Sequence, residues 1–185
     1  MHYLSKGKRG VVYLAKEKGK LVVFKKERPG SAALRALHNE AQWLQRLNRH
    51  GIGPLFVRFD NDTLVMEYID GVPFVDWYPR QKKDAIHRVI REIFDQCYLM
   101  DSLHVNKMEM HHPVKHILIR SGKPVMIDFE RCKQTMTPKN VTQFAQFLSR
   151  LGFTEDHETM RRLLQNYKKS YDKKMCQRIV RCFTV

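Results

Sequence analysis

The hydrophobic pattern of this chain shifts near Asp70-Gly71 from mostly strand to mostly helix, and that shift limits the folds open to it. Upstream, Val11-Val12-Tyr13-Leu14 and Leu21-Val22-Val23-Phe24 are runs of β-formers separated by the polar Lys16-Glu17-Lys18-Gly19-Lys20. Leu4 to Leu14 and Leu21 to Lys26 therefore predict a hairpin. From about Ala32 to Asn48, the residues Ala33, Leu37, Ala41, Leu44 and Leu47 recur at helical spacing, and Gly51-Ile52-Gly53-Pro54 stops that helix. Strand character returns at Leu55 to Phe59 and Thr63 to Tyr68, around Asp60-Asn61-Asp62.

Beyond Gly71 a long helix is expected from Lys83 to Leu103, with Ile86, Ile90, Ile93, Phe94 and Cys97 on one face. A short strand pair comes next, Ile117-Leu118-Ile119 and Val125-Met126-Ile127, joined at Ser121-Gly122-Lys123. Thr137-Pro138 predicts an N-cap with Pro at the first helical position, and that helix stops at Gly152. Thr154 is expected to cap the next helix, whose apolar stripe is Met160, Leu163, Leu164 and Tyr167, and a basic helix from about Asp172 to Phe183 comes last. The pattern is α+β, with residues 1–68 rich in strand and residues 69–185 mainly helical.

The 185 residues suffice for one domain or two small lobes. The sequence shows no transmembrane run and no apolar leader, which predicts a cytoplasmic protein without a membrane partner. Cys97, Cys132, Cys176 and Cys182 form no CxxC pair, so reduced thiols are expected. The net charge of +15 sits mainly at the two ends: residues 1–28 carry nine Lys or Arg against Glu17 and Glu27, and residues 158–185 carry eight against Glu158 and Asp172. Such ends fit a polyanionic neighbour such as RNA, a ribosome or an acidic protein, and equally a solvated basic surface.

Three constellations carry chemistry. Ser5-Lys6-Gly7-Lys8-Arg9-Gly10-Val11-Val12 places two glycines between strands, where a backbone can fold over phosphates; a plain basic turn fits the same residues. Strand alternation turns Lys25 inward and Lys26 to solvent, and Glu40 in the following helix is its expected partner; a surface lysine and a helix-face glutamate are the alternative. The apolar Val125-Met126-Ile127 runs into Asp128-Phe129-Glu130, and Asp128 suits a hard, oxygen-seeking magnesium ion, with Glu130 a second carboxylate or a surface partner of Arg131 or Lys133. His112 and His116 stand four apart like helical zinc ligands, but Pro113 argues against a helix there.

In this order, with Met66-Glu67-Tyr68 between them, these residues resemble the protein-kinase-like superfamily. The chain is more closely similar to the compact predicted serine/threonine kinases of prokaryotes, through Gly51 to Pro54, Pro113 to His116, Ile127 to Arg131 and Pro138-Lys139-Asn140-Val141-Thr142. The resemblance implies a bilobal fold, a small β-rich lobe and a truncated helical lobe, with ATP and Mg2+ as cofactors. It implies that Gly7, Gly10 and Val12 cover the nucleotide and that Lys25, held by Glu40, orients its α- and β-phosphates. Met66 would stand behind the base, with the Glu67 carbonyl and the Ile69 amide touching it. Asp128, Glu130 and His116 become the metal candidates, His116 through alignment with the loop asparagine of kinases. The catalytic loop departs from His-Arg-Asp, so Glu109 is the candidate base, His111 its substitute, and Lys115 a cation for the transferred phosphate.

Only about seven residues separate Glu130 from the Pro138 region, with no Ala-Pro-Glu, which leaves no long activation segment to dock a peptide. RIO kinases and the small kinase of the tRNA-threonylcarbamoyl machinery are similarly trimmed. The expected activity is phosphoryl transfer to a protein Ser/Thr hydroxyl. A small-molecule acceptor, a silent nucleotide-binding module and a ribosome- or RNA-associated ATPase are the rival readings.

Overall fold

The computed structural model describes residues 2–6, 10–27 and 34–184. Strands β1 (His2–Lys6), β2 (Gly10–Glu17) and β3 (Lys20–Glu27) precede helix α1 (Leu34–Asn48), and β4 (Phe56–Asp60) and β5 (Thr63–Glu67) come after it. Next are β6 (Val72–Pro73), the one-turn α2 (Phe74–Trp77), the long α3 (Lys83–Ser102), β7 (Val105–Asn106), β8 (Ile117–Arg120), β9 (Lys123–Met126) and β10 (Lys133–Gln134). Helices α4 (Asn140–Arg150), α5 (His157–Ser170) and α6 (Lys173–Arg181) complete the described elements, an α+β set. The chain divides into two compact units, Met1–Gly71 with Val125–Cys132, and Val72–Pro124 with Lys133–Val185.

The first unit is built on an antiparallel sheet of order β1-β2-β3-β5-β4. Glu17 pairs with Lys20, so the β2–β3 turn is two residues long, and both Lys18 and Gly19 have positive φ, as the right-handed strand twist prefers. The arm expected from Leu4 to Leu14 is instead two strands: β1 and β2 pair with each other, with an irregularity between Tyr3 and Ser5. Gly7 and its neighbours 8 and 9 lie outside the described residues. Gly10 is required by space, since a Cβ there would stand 2.6 Å from the Lys26 carbonyl oxygen across the ladder.

Helix α1 buries Leu37, Ala41, Leu44 and Leu47 as its spacing predicts, and each leucine contributes roughly 1.5–3 kcal/mol of apolar burial. Ala32 and Ala33 lie outside the described residues. Asn48 ends the helix and ties down the next loop: its amide donates to the Ile52 and Pro54 carbonyls and its oxygen accepts from the Phe56 N–H. Gly53, at φ +84°, faces the Phe129 ring so closely that a Cβ would lie 2.8 Å from it. The Gly51 to Pro54 loop thereby gives Phe129, fully buried, its place.

The second unit packs α3 through Ile86, Val89, Ile90, Ile93, Phe94, Cys97 and Met100, with Phe94 against Phe144 of α4 and against Phe183. Short strands accompany the helices: β6 pairs with β8, and β7 with β10, the latter pair absent from the sequence expectation because two residues carry no period. Two expected caps are corrected. Helix α4 begins at Asn140, not at Pro138, and its first amides are met by a distant carboxylate: Asp101 accepts from the N–H groups of Asn140 and Val141. Helix α5 is capped by Asp156, which accepts from the Thr159 N–H; Thr154 is buried upstream of it. Among the described residues no helix is long and apolar enough to cross a membrane, and the four cysteines form no disulfide.

Candidate active site

Lys25 stands in β3 opposite Val12 of β2 and Leu64 of β5, and Lys26 is exposed, as the alternation predicts. Its ammonium lies 2.6 Å from Glu40 Oε2 and 3.2 Å from Asp128 Oδ1, with Glu130 Oε2 at 3.8 Å. All four residues belong to the first unit. Glu40 is the polar member of α1's buried stripe and is 0% exposed. Its second oxygen, Oε1, accepts the Phe129 N–H at 3.2 Å, so both oxygens face donors.

Burial works against charge on Lys25, but Glu40, Asp128 and Glu130 outweigh it and hold its pKa above the ordinary lysine range. Burial, and with it the charge of Asp128, pushes Glu40 upward, while Lys25 and the Phe129 N–H pull it back. The two tendencies oppose each other, and the ion pair prevails, because a proton on Glu40 would have to point at a donor.

Asp128 adopts the left-handed backbone, φ 64°, a conformation that Asp tolerates better than most residues. Two anchors hold the segment in that shape. The Phe129 ring is packed under Gly53, and Asn39, which sequence reasoning missed, donates its side-chain amide to the Glu130 carbonyl at 2.8 Å and the Cys132 carbonyl at 2.9 Å. Its position immediately before Glu40 is the only signal that could have drawn attention to it.

One oxygen each from Glu40, Asp128 and Glu130 lies within 4.8 Å of the other two. Three carboxylates around one ammonium leave an excess of negative charge, and the donor set is all oxygen, which fits a hard divalent cation. Glu40 is already committed on both oxygens. Asp128, a third exposed at its side chain, and Glu130 are therefore the residues that could hold the ion.

The remaining predicted residues lie on other segments of the chain. Met66 pairs with Val23 and Phe56 in the sheet, and the Glu67 N–H donates to the Leu55 carbonyl at 2.8 Å. Ile69 is buried just beyond β5. Glu109, His111, Lys115 and His116 belong to the second unit. Glu109 Oε2 lies 3.7 Å from the ammonium of Lys107, a lysine with no exposed side-chain surface, and Lys115 is exposed. His111 is exposed, with Nδ1 3.0 Å from the Met108 carbonyl. His112 to His116 is a turn rather than a helix, closed by the His116 N–H on the Pro113 carbonyl.

No family model matches the chain. Over 77 residues it is 31% identical to the uncharacterized protein MJ1211 of Methanocaldococcus jannaschii, a match covering 42% of this chain and 66% of that protein, so just under two thirds of the relative's length is spanned.

Proposed function

We propose that this chain is an ATP- and magnesium-dependent phosphotransferase of the protein-kinase-like type, its two units corresponding to the two lobes, acting on a Ser/Thr hydroxyl of a protein. The observation that carries the reading is the placement of Lys25 between a fully buried Glu40 and the more open Asp128. Such an ammonium is fixed in direction and is a charged donor suited to a phosphate oxygen, while the carboxylates beside it suit a cation that would bind the same phosphate. Phosphoryl transfer asks a protein mainly for positioning and charge stabilisation, and a rigidly held cation supplies both. Asp128 and Glu130 would hold magnesium, which when bound neutralises phosphate charge. Asn39 keeps the Glu130–Cys132 backbone in register with Glu40.

A second reading, a nucleotide-binding module without turnover, is favoured by one observation: the Glu109 carboxylate is turned to the buried Lys107 ammonium, 3.7 Å away, within its own unit. Thermal denaturation with millimolar ATP, with and without magnesium, separates the possibilities when run beside Asp128→Asn. Asn tolerates the left-handed backbone, so the variant should fold. The expected result is a magnesium-dependent stabilisation of about 2–3 kcal/mol at ligand concentrations far above Kd, absent from the variant. ADP production should fall about a hundredfold or more in the variant. Stabilisation without ADP production would select the silent module, and no stabilisation at all would sink both readings.

A further inference from the structure

The second unit carries a basic groove remote in sequence from the lysine cluster. A cleft of about 440 Å³ lies between α4 and α5, lined by Arg150, His157, Arg161 and Lys168, with Met160 and Leu164 as its floor and two glutamines and a serine beside them. Among the described residues no acidic side chain lines it. Asp156 and Glu158 sit at the start of α5, where Asp156 is already engaged as the helix cap. Beyond the groove lining, α5 and α6 carry further exposed cations, Arg162, Lys169, Lys173, Lys174, Arg178 and Arg181, and bury Leu163, Tyr167, Cys176 and Ile179.

We propose that this groove is a docking site for single-stranded RNA. The charge demands a polyanion. Its chemistry then favours phosphate and base over a run of carboxylates. Arg150 and Arg161 offer planar donor forks that match phosphate oxygens, and the neutral amides and hydroxyl match base edges. An acidic peptide would use the cations and leave the rest without a role. The site is independent of the phosphotransferase reading, since no ATP is required for it.

The test uses the full chain, without nucleotide, and a fluorescein-labelled single-stranded RNA of about 20 nucleotides, followed by anisotropy across a salt series. Arg161→Glu with Lys168→Glu reverses two exposed charges in the groove. Arg162→Glu with Lys169→Glu makes the same charge change on the same helix, one residue round, outside the groove lining. The groove pair should weaken binding at least tenfold in about 0.1 M salt and lower the slope of log K against log salt by about 1.4, and the neighbouring pair should cost much less. Equal losses from the two pairs, or no loss from either, would overturn the proposal, as would polyglutamate of the same length displacing the RNA at equal charge. Unchanged thermal stability of both variants shows that the comparison reads binding and not folding.

Discussion

Each unit contains a deeply buried carboxylate, Glu40 in the first and Asp101 in the second, and they are held in opposite ways. Glu40 faces a cation at 2.6 Å and a single backbone N–H. Asp101 faces only neutral donors: the N–H groups of Asn140 and Val141, the Asn140 side-chain amide at 2.7 Å and the Tyr167 hydroxyl at 2.9 Å. Burial pushes Asp101 up to about 6 despite those four bonds. A carboxylate sealed in by dipoles serves as an architectural tie, joining α3 to the start of α4 and to α5. One that shares a cation with two less buried carboxylates leaves charge available to a ligand.

The strongest way to break this contrast is Lys25→Met. Glu40 would then be buried without its cation, at a cost of roughly 3–5 kcal/mol at neutral pH. Urea denaturation should show the loss shrinking as pH is lowered, because Glu40 takes up a proton and its charge disappears. A loss below about 1 kcal/mol would mean that the ion pair does not hold the unit together.

Asp101 sharpens the contrast through pH. Its folded pKa lies above the unfolded value, so the folded state binds more protons between about pH 4 and pH 7, and stability falls as pH rises through that window. From 3.8 to about 6 the fall is roughly 3 kcal/mol. Asp101→Asn should remove that slope, whatever it does to stability overall. Parallel pH curves for variant and parent would show that Asp101 does not titrate in the window.

The smallest expected effect comes from Gly53→Ala. The added Cβ meets the Phe129 ring at 2.8 Å, and the backbone there is left-handed, which together cost roughly 2 kcal/mol. Because the Phe129 N–H is Glu40's second donor, the variant should loosen the first unit's carboxylate and leave Asp101 untouched. Hydrogen exchange of the Phe129 and Val141 amides reads the two separately: faster at Phe129, unchanged at Val141.

The first unit is more legible in the sequence than the second, for physical reasons. Lys25 and Glu40 lie on elements with clear periods, so their faces follow from alternation and helical spacing once the elements are found, and Asp128 stands two residues beyond the apolar strand β9. The four-donor site of Asp101 is assembled across 39 residues to Asn140 and 66 to Tyr167, and no local pattern announces it. That same long-range tie explains the misplaced start of α4. Local cap chemistry at Thr137-Pro138 is sound in isolation, but Asp101 meets the orphan amides two residues further on. At α5 the local rule holds with a different residue, since Asp156 and Thr154 both qualify as caps by type, and only Asp156 reaches the Thr159 N–H. Asn39 is invisible because an amide that binds two carbonyls leaves no signature in composition or period.

The first unit is discontinuous, with residues 72–124 inserted before its last segment arrives. Lys25 and Glu40 are 15 residues apart and can meet early, whereas Asp128 joins Lys25 across 103 residues and Phe129 joins Glu40 across 89. Loop closure over such separations is slow. During synthesis on a ribosome, a nascent chain stalled before residue 128 therefore carries the sheet and the ion pair but no assembled carboxylate cluster. The candidate active site is thus completed only after most of the inserted segment has left the exit tunnel.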